Sequence, residues 1–192
     1  MKFISINTST NLCSVSLYND NKVKTMEKEN VKDHTIYLAQ YTKEISNGFL
    51  NDLDFIVVSV GPGSYAGIRT GLSFAKGLSL ALNKPIVPVD NFECMNFMVN
   101  RSDKYYIAIY SHREFVYNQL YDNNSKSSKG ECIRYNELKD YDIYGNGLES
   151  ILDGDYNKIV LNSRSIGDYA LKHYEQLIEE KIDKIIPIYL EM

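Results

Sequence analysis

A strand, a glycine-rich corner and an almost uncharged helix follow one another between residues 55 and 82, and this succession limits the fold more than any other feature. Phe55–Val60 is a mainly apolar, β-branched run, which is typical of a strand covered on both faces. The corner reads GPGSYAGIRTG from Gly61 to Gly71, and the helix that it opens carries only Arg69 and Lys76 as charged residues. Such a helix must be covered on more than one side. The sheet covers one side of the helix, so the contact that covers the other side is the candidate for a functional contact.

Residues 64–82 place two apolar faces on opposite sides of this helix. The inner face comprises Ser64, Ile68, Leu72, Ala75, Ser79 and Leu82, beside a stripe of small residues (Gly67, Gly71 and Ala75) that lets a neighbouring backbone approach closely. The opposite side also needs a cover, and we call it the outer face; with two residues of the preceding helix it comprises Ile36, Ala39, Thr70, Ser73, Phe74, Gly77, Leu80 and Ala81. Its cover could be a second layer of this chain, to which the helix from His34 would contribute, or another protein.

The rest of the pattern predicts an α/β protein of two lobes, each a mixed sheet with flanking helices, the second lobe being shortened. The segment RSDK at 101–104 is the predicted boundary, so residues 1–100 form the first lobe and residues 101–192 the second, whose final tail could pack back on the first. Strands are predicted at 3–6, 13–18, 22–28, 53–60, 86–89, 105–110, 114–121, 131–135 and 158–161, and a turn at 145–147. Helices are predicted at 34–46, 64–82, 91–99 and 165–181, and the predicted N-caps are Asp33, Asp90 and Ser165.

Composition and charge disfavour several classes of function. The formal net charge of −4 gives no general attraction for phosphate backbones, so we do not expect this chain alone to bind nucleic acid. Cys13, Cys94 and Cys132 are far apart and never form a CxxC pair, which indicates reduced thiols in a cytoplasm and no zinc site. We expect neither a signal peptide nor a membrane span, because no apolar stretch has the necessary length.

The glycine corner is also a candidate anion site, because backbone N–H groups at a helix N-terminus bind anions. The candidates for contact with a nucleotide or anion are Thr8, Ser9, Gly61, Gly63 and Ser64. The corner matches neither GxxxxGK followed by Ser or Thr nor GxGxxG, however, and Pro62 has no N–H to donate. Arg69 and Lys76 are candidates for pairing with acids or for binding a ligand.

Several stretches, in the same order along the chain, resemble the bacterial TsaB family, also called YeaZ. Residues 61–78, GPGSYAGIRTGLSFAKGL, resemble the family's GPGSFTGLRIGL followed by AKGL. Residues 4–10 and 13–15 resemble its opening IDTST and CSV, and His34 stands where the family commonly has a histidine at the start of its first helix. The segments at 84–89 and 187–190 also fit. The likeness is specific through about residue 100 and weaker beyond it.

The resemblance implies an actin/sugar-kinase-like (ASKHA) fold and a role in making threonylcarbamoyladenosine on tRNA. In that family the protein is a non-catalytic partner that pairs, through its first two helices, with the transferase subunit TsaD. TsaE, a small P-loop ATPase, joins the pair. The outer face would then be the pairing surface, and it could hold a homodimer when the protein is isolated. We expect this chain to bind no cofactor alone, with ATP or ADP and magnesium at the interface of the complex and tRNA reached only through the complex.

Two features of the sequence argue against an enzyme. ATPases and kinases of this fold class usually have Asp at the end of the first strand, where this chain has Asn7, which cannot supply the negative charge that helps to hold magnesium. The HxxxH metal pair of TsaD is absent, since Leu38 stands four residues after His34, so no metal site is predicted. The alternative, an active small ATPase or sugar-kinase-like enzyme, would need a magnesium site. In the second half, YSHR at 110–113 replaces the family's Asp-Ala-Arg turn.

Overall fold

The computed structural model describes residues 1–31, 33–152 and 155–191, and within them the chain forms two β-sheets and four α-helices. The strands are β1 (Lys2–Asn7), β2 (Cys13–Asn19), β3 (Lys22–Lys28), β4 (Phe55–Gly61), β5 (Ile86–Asp90), β6 (Lys104–His112), β7 (Phe115–Asp122), β8 (Ser125–Lys126), β9 (Glu131–Arg134), β10 (Asp142–Asn146) and β11 (Asn157–Lys158). The helices are α1 (His34–Ser46), α2 (Tyr65–Leu82), α3 (Asn91–Val99) and α4 (Ser163–Leu177). None of the helices in these ranges has the length and apolar character needed to cross a membrane.

Both sheets combine an antiparallel meander with parallel strands. The first has the order β3-β2-β1-β4-β5, in which β1, β2 and β3 are antiparallel neighbours and β4 and β5 run parallel to β1. The second has the order β11-β10-β6-β7-β8, with β9 also paired to β7, and β10 and β11 run parallel to β6. This arrangement confirms the prediction of an α/β protein with two mixed sheets.

The second lobe is shortened because its connections lack helices where the first lobe has them. In the first lobe α1 joins β3 to β4 and α2 joins β4 to β5. In the second lobe the 3-10 turn Tyr135–Glu137 stands between β9 and β10, and no helix is assigned to the described part of the connection from β10 to β11. The last helix, α4, packs on β1, β2, β4 and β5 of the first sheet.

Alternate residues of the first sheet face two different layers, as the pleat of a strand requires. Ile4, Ile6 and Ile56 point towards α1 and α2, where they pack with Leu38 and Leu72. Phe3, Phe55, Val57 and Val87 point the other way, towards α3, α4 and the buried face of the second sheet; the aromatic ring of Phe55 stacks on Tyr174 of α4 with the ring centroids 5.3 Å apart. The first sheet is thus covered on both faces, which explains why Phe55–Val60 is apolar throughout.

Two of the three predicted caps are confirmed. The side chains of Asp33 and Asp90 accept hydrogen bonds from backbone N–H groups in the first turns of α1 and α3. The prediction for Ser165 is wrong, since α4 begins two residues earlier and its N-cap is Asn162. The Asn162 side chain accepts from the N–H groups of Arg164 and Ser165, while the Ser165 hydroxyl accepts from the Asn162 N–H, so Ser165 is the third residue of a capping box.

The end of the chain returns to the first lobe. Glu179 exchanges two backbone hydrogen bonds with Ile86 at the edge of the first sheet, and the Ile188 N–H donates to the Val60 carbonyl at 2.7 Å. Leu190 then packs with the core that Phe92 belongs to. The division of the chain at residue 100 stays a prediction, but α4 and the tail lie on the first sheet although they belong to the second half of the sequence.

Candidate functional site

The small-residue stripe of α2 lies against the turn between β1 and β2, as its close-approach pattern predicts. A Cβ atom at Gly67 would stand 1.9 Å from the Thr8 carbonyl oxygen, and a Cβ at Gly71 would stand 2.3 Å from Thr8 Oγ1. The Thr8 hydroxyl donates to the Gly67 carbonyl at 2.7 Å. The partner of the stripe is therefore the backbone of a turn.

The glycine corner is packed on the same turn. A Cβ at Gly63 would lie 2.3 Å from the Ser9 carbonyl oxygen, and the Ser64 N–H donates to that oxygen at 2.8 Å. The buried amide of Asn91 completes the contact, because its Nδ2 donates to Ser9 Oγ at 2.8 Å and to the Pro62 carbonyl at 2.7 Å. The corner, the turn and the start of α3 are thus one hydrogen-bonded unit.

Asn7, at the position where enzymes of this fold class have an acid, is fully buried, and both polar atoms of its amide are hydrogen-bonded. Its Nδ2 donates to the Leu161 carbonyl at 2.9 Å, and its Oδ1 accepts from the Ser9 N–H at 3.0 Å and from the Ser9 hydroxyl at 2.7 Å. The Nδ2 and Oδ1 atoms of the amide therefore both form hydrogen bonds within this chain. A carboxylate could accept the two Ser9 bonds but could not donate to Leu161.

The five candidates for contact with a nucleotide or anion lie close together but differ in access. Thr8 and Ser9 are 2% and 1% exposed, and their hydroxyls bond to groups of this chain. Gly61 and Gly63 are buried as well, whereas Ser64 is exposed and its side chain accepts from the Gly67 N–H. The contact with a nucleotide or anion stays a prediction.

Asn7→Asp is expected to destabilise the fold at neutral pH without creating a magnesium site. An ionised carboxylate would face the Leu161 carbonyl with no proton between them, which lowers the free energy of unfolding by roughly 2–4 kcal/mol. Burial and this carbonyl would raise the folded-state pKa of the new carboxyl above its unfolded value of about 3.9. The folded variant then binds a proton that the unfolded variant releases, so the deficit grows as the pH rises from the unfolded pKa to the raised folded pKa and is constant above it.

Asn7→Ala is the matched control for this prediction, because it removes the amide without adding a titratable group. Its deficit should not change between about pH 4 and pH 7, whereas that of Asn7→Asp should increase. Urea unfolding followed by circular dichroism at several pH values measures both. A pH-independent deficit for Asn7→Asp, or magnesium-dependent binding of ATP to that variant in calorimetry, would contradict the prediction.

A cleft with a volume of about 630 Å³ lies between the two lobes beside the corner. The first lobe contributes residues 9–11 and 63–66, and the second contributes residues 109–112 and 146–147 with Tyr117 and Glu149. None of the lining residues is Lys or Arg, and Glu149 is already paired with Lys158 at 2.6 Å, which lowers the pKa of the Glu149 carboxyl. This lining does not fit magnesium and a polyphosphate, which need free carboxylates and cationic groups.

The outer face is not covered by the part of the chain that the structure describes. α1 and α2 lie side by side on one face of the first sheet, so α1 does not form a second layer over α2. Ile36 is 62% exposed and Leu80 70% exposed, and no atom lies within 4 Å of a Cβ built on Gly77. Ala39, Ser73 and Ala81 are exposed too, while Thr70 and Phe74 are half-buried.

Arg69 and Lys76 do not pair with acids among the described residues. The Arg69 guanidinium lies 3.8 Å from the centroid of the Tyr65 ring, and its Nε donates to the Tyr189 hydroxyl at 2.6 Å. Lys76 is half-buried on the same flank of α2 and takes part in none of the ion pairs of the described ranges. Neither residue pairs with an acid of the described ranges, and both acid pairing and ligand binding stay predictions.

The remaining titratable candidates are packed groups. His34 begins α1, its buried Nδ1 has no hydrogen-bond partner among the residues that the structure describes, and burial lowers the pKa of its ring. Burial raises the pKa of Cys13 to about 11 and that of Cys94 to about 12, so both thiols are inert at neutral pH. Among residues 1–31, 33–152 and 155–191, no cluster of three or more His, Cys, Asp or Glu side chains is arranged to hold a metal ion.

Two residues important to this region are not predicted by the sequence. Asn91 follows the cap of α3 and resembles any polar residue of a first turn, and Tyr189 lies near the end of an apolar tail. Their partners, Ser9 and Arg69, are far away in the sequence, and no local pattern marks such a contact. The resemblance at 187–190 is the one signal that points to the tail.

Comparison with known proteins identifies the family. The family model described as TsaD, tRNA N6-adenosine threonylcarbamoyltransferase, matches residues 31–134, a little more than half of the chain. A curated relative, the tRNA threonylcarbamoyladenosine biosynthesis protein TsaB of Buchnera aphidicola subsp. Baizongia pistaciae, is 29% identical over 97% of this chain and 96% of its own length.

Two solved structures from Pseudomonas aeruginosa have the same fold as this chain. One, described as similar to the peptidase YeaZ, has a TM-score of 0.82 at 17% identity and covers 99% of both chains. The other, YeaZ, has a TM-score of 0.75 at 18% identity and covers 98% of this chain and 99% of its own. With the two mixed sheets, these likenesses show that the chain has the fold of YeaZ. Because the family model spans most of the first lobe and a named TsaB matches along the whole length, the chain belongs to the TsaD family and, within it, to the TsaB (YeaZ) proteins.

Proposed function

We propose that this protein acts in the biosynthesis of threonylcarbamoyladenosine on tRNA, as a non-catalytic subunit that pairs with a TsaD homologue. The two proteins would meet through the outer face of α1 and α2. A TsaE homologue would join the pair, with ATP or ADP and magnesium at the interface of the complex, and tRNA would be bound only by the complex. The name of the full-length relative, a tRNA threonylcarbamoyladenosine biosynthesis protein, supports the pathway.

The uncovered outer face is the observation that carries the pairing. Ile36 and Leu80 are each more than 60% exposed, and a Cβ built on Gly77 would meet open space. Ile36 lies near the start of α1 and Leu80 near the end of α2, so exposed aliphatic side chains occur towards both ends of this face, as on a surface that a protein partner covers. A lasting pair should bury on the order of 1,600 Å² or more around an apolar centre. An isolated protein would be expected to form a homodimer through the same face.

The non-catalytic assignment rests on Asn7 and on the lining of the cleft. Asn7 uses its amide to hold Ser9 and Leu161 together, and the cleft presents no cationic side chain and no free pair of carboxylates among the described residues. Electrostatic stabilisation of a transferring phosphoryl group requires such charges. The volume of the cleft favours the alternative of a small ATPase or sugar-kinase-like enzyme. The lining residues that the structure describes include no Lys or Arg and do not favour it.

Co-purification tests the proposal. The tagged protein should be expressed with the TsaD and TsaE homologues of the same genome, and the eluate separated by gel filtration. We expect a stoichiometric complex with the TsaD homologue, and retention of the TsaE homologue when ATP and magnesium are present. Separate elution of the chain at about 10 µM, well above the Kd of a specific pair, would contradict the pairing. ATP turnover by the isolated chain would favour the enzyme.

A further inference from the structure

Arg69 is held in one orientation by two tyrosines. Its guanidinium carbon lies 3.8 Å from the centroid of the Tyr65 ring and 5.5 Å from that of Tyr189, and the two ring centroids are 4.9 Å apart. The hydrogen bond from Arg69 Nε to the Tyr189 hydroxyl, at 2.6 Å, fixes the rotation of the guanidinium plane. An exposed arginine usually samples many rotamers, so this arrangement removes entropy before any ligand binds.

The tail of the chain keeps Tyr189 in place. On one side of Tyr189, the Ile188 N–H donates to the Val60 carbonyl at 2.7 Å. On the other side, Leu190 packs between Gly130 and the core around Phe92. Because both neighbours of Tyr189 are anchored, its ring is a fixed support for Arg69.

The terminal amino groups of Arg69 remain open. The Nε atom has its partner in Tyr189, but neither Nη1 nor Nη2 donates a hydrogen bond to the described residues, and no carboxylate among them lies within ion-pair distance. The planar fork of an arginine matches a carboxylate or a phosphate with two parallel hydrogen bonds. The Nη1 and Nη2 groups of Arg69 are thus oriented to bind an oxyanion.

Arg69 borders the outer face. Ser73 stands four residues after it on α2, one turn along the same side, and Leu80 follows further along the helix. An oxyanion bound by Arg69 would therefore lie at the rim of the apolar surface. Charged groups at such a rim set the specificity and register of an interface.

We propose that Arg69 is a specificity residue of the pairing surface and that its guanidinium binds the carboxylate of an Asp or Glu side chain on the protein that covers the outer face. This inference rests on the proposed function. A partner carboxylate fits better than an RNA phosphate, because Lys76 is the only other cation of α2 and the net charge of the chain is −4. Proteins that bind an RNA backbone present several clustered cations.

Variants of Arg69 and of Tyr189 test this proposal. For each variant, calorimetry measures the Kd of the pair with the TsaD homologue. Arg69→Ala should raise the Kd by about 10- to 100-fold, and Arg69→Lys should recover little of this loss, because an ammonium cannot form the two parallel bonds. Tyr189→Phe, which removes only the hydroxyl that fixes Nε, should raise the Kd by about threefold to tenfold. The matched control is Lys172→Ala on α4, an exposed cation on the opposite side of the first sheet, and it should leave the Kd unchanged.

The measurements distinguish this inference from the proposed function. If the wild-type chain does not pair with the TsaD homologue, both are overturned. If it pairs while Arg69→Ala or Arg69→Lys stays within about twofold of its Kd, the inference is overturned and the pairing stands. A third result would also overturn the inference: the isolated chain binds tRNA, Arg69→Ala abolishes that binding, and the Kd of the protein pair does not change. The thermal midpoint of the isolated variants should stay near that of the wild type, since Arg69 is exposed.

Discussion

Leu80→Asp is expected to abolish the pairing with a TsaD homologue and to leave the isolated protein folded. The Leu80 side chain is 70% exposed, so its replacement removes little from the packing of the chain. In the pair, the new carboxylate would have to leave water within an apolar surface. Such a penalty corresponds to a rise in Kd of roughly 100-fold or more. Gel filtration of the variant with the TsaD homologue measures the loss.

Ile186→Asp is the matched control for Leu80→Asp. Ile186 is 69% exposed and lines a groove between β5, α4 and the tail, away from α1 and α2. The same change of an aliphatic side chain to a carboxylate should therefore leave the pairing intact. A complex that survives Leu80→Asp, or that is lost equally with Ile186→Asp, would contradict the outer face as the pairing surface. Phe74→Asp is less informative, because Phe74 also packs against the core beneath α2.

The elements with short-range signals could be predicted from the sequence. β3 and α3 are found at the predicted residues, and α1 and α2 differ from prediction by at most one residue. Their signals are alternation in the strand, a 3.6-residue apolar period in the helices, and acids or hydroxyls at the caps. The inner face of α2 could be predicted for the same reason, since Ile68, Leu72 and Ala75 are all buried.

The differences come from contacts that a local pattern does not contain. Residues 145–147 predict a turn because of two glycines, yet Gly145 lies in β10, where a Cβ would stand 2.2 Å from Leu148 Cδ1 and 3.1 Å from the Ala108 carbonyl. A glycine in a strand is then required by a close approach of neighbours. The strand predicted at 158–161 is instead the short strand Asn157–Lys158, because only these two residues pair with β10.

The candidate site could be predicted only in part, for a related reason. The outer face follows from the composition of α2, and six of its eight residues are exposed, whereas Thr70 and Phe74 are half-buried. The structural role of Asn7 depends on Leu161, and the orientation of Arg69 depends on Tyr189, more than 100 residues away in each case. A sequence predicts the chemistry of such a side chain, but its partner is known only when the two segments meet in space.

Gly67→Ala is expected to lower the free energy of unfolding strongly, although alanine favours a helix. A Cβ at this position would stand 1.9 Å from the carbonyl oxygen of Thr8, and backbone cannot yield as a flexible side chain does. The turn would have to move away from α2, which strains the bond from Thr8 Oγ1 to the Gly67 carbonyl and the bond from the Ser64 N–H to Ser9. We expect a net loss of about 3 kcal/mol, after a gain of about 1 kcal/mol from helix propensity.

Gly77→Ala on the same helix isolates the contribution of this contact. Gly77 has no atom within 4 Å of its would-be Cβ, so only the helix propensity changes, and the free energy of unfolding should rise by about 1 kcal/mol. For a chain of this length the two variants should shift the thermal midpoint in opposite directions, by roughly 6–12 °C downward for Gly67→Ala and 2–4 °C upward for Gly77→Ala. Shifts of the same sign would mean that the turn at Thr8 does not press on α2. Opposite signs would show that residue 67 is glycine because the turn at Thr8 approaches α2 so closely. This contact fixes the position of the corner relative to the outer face.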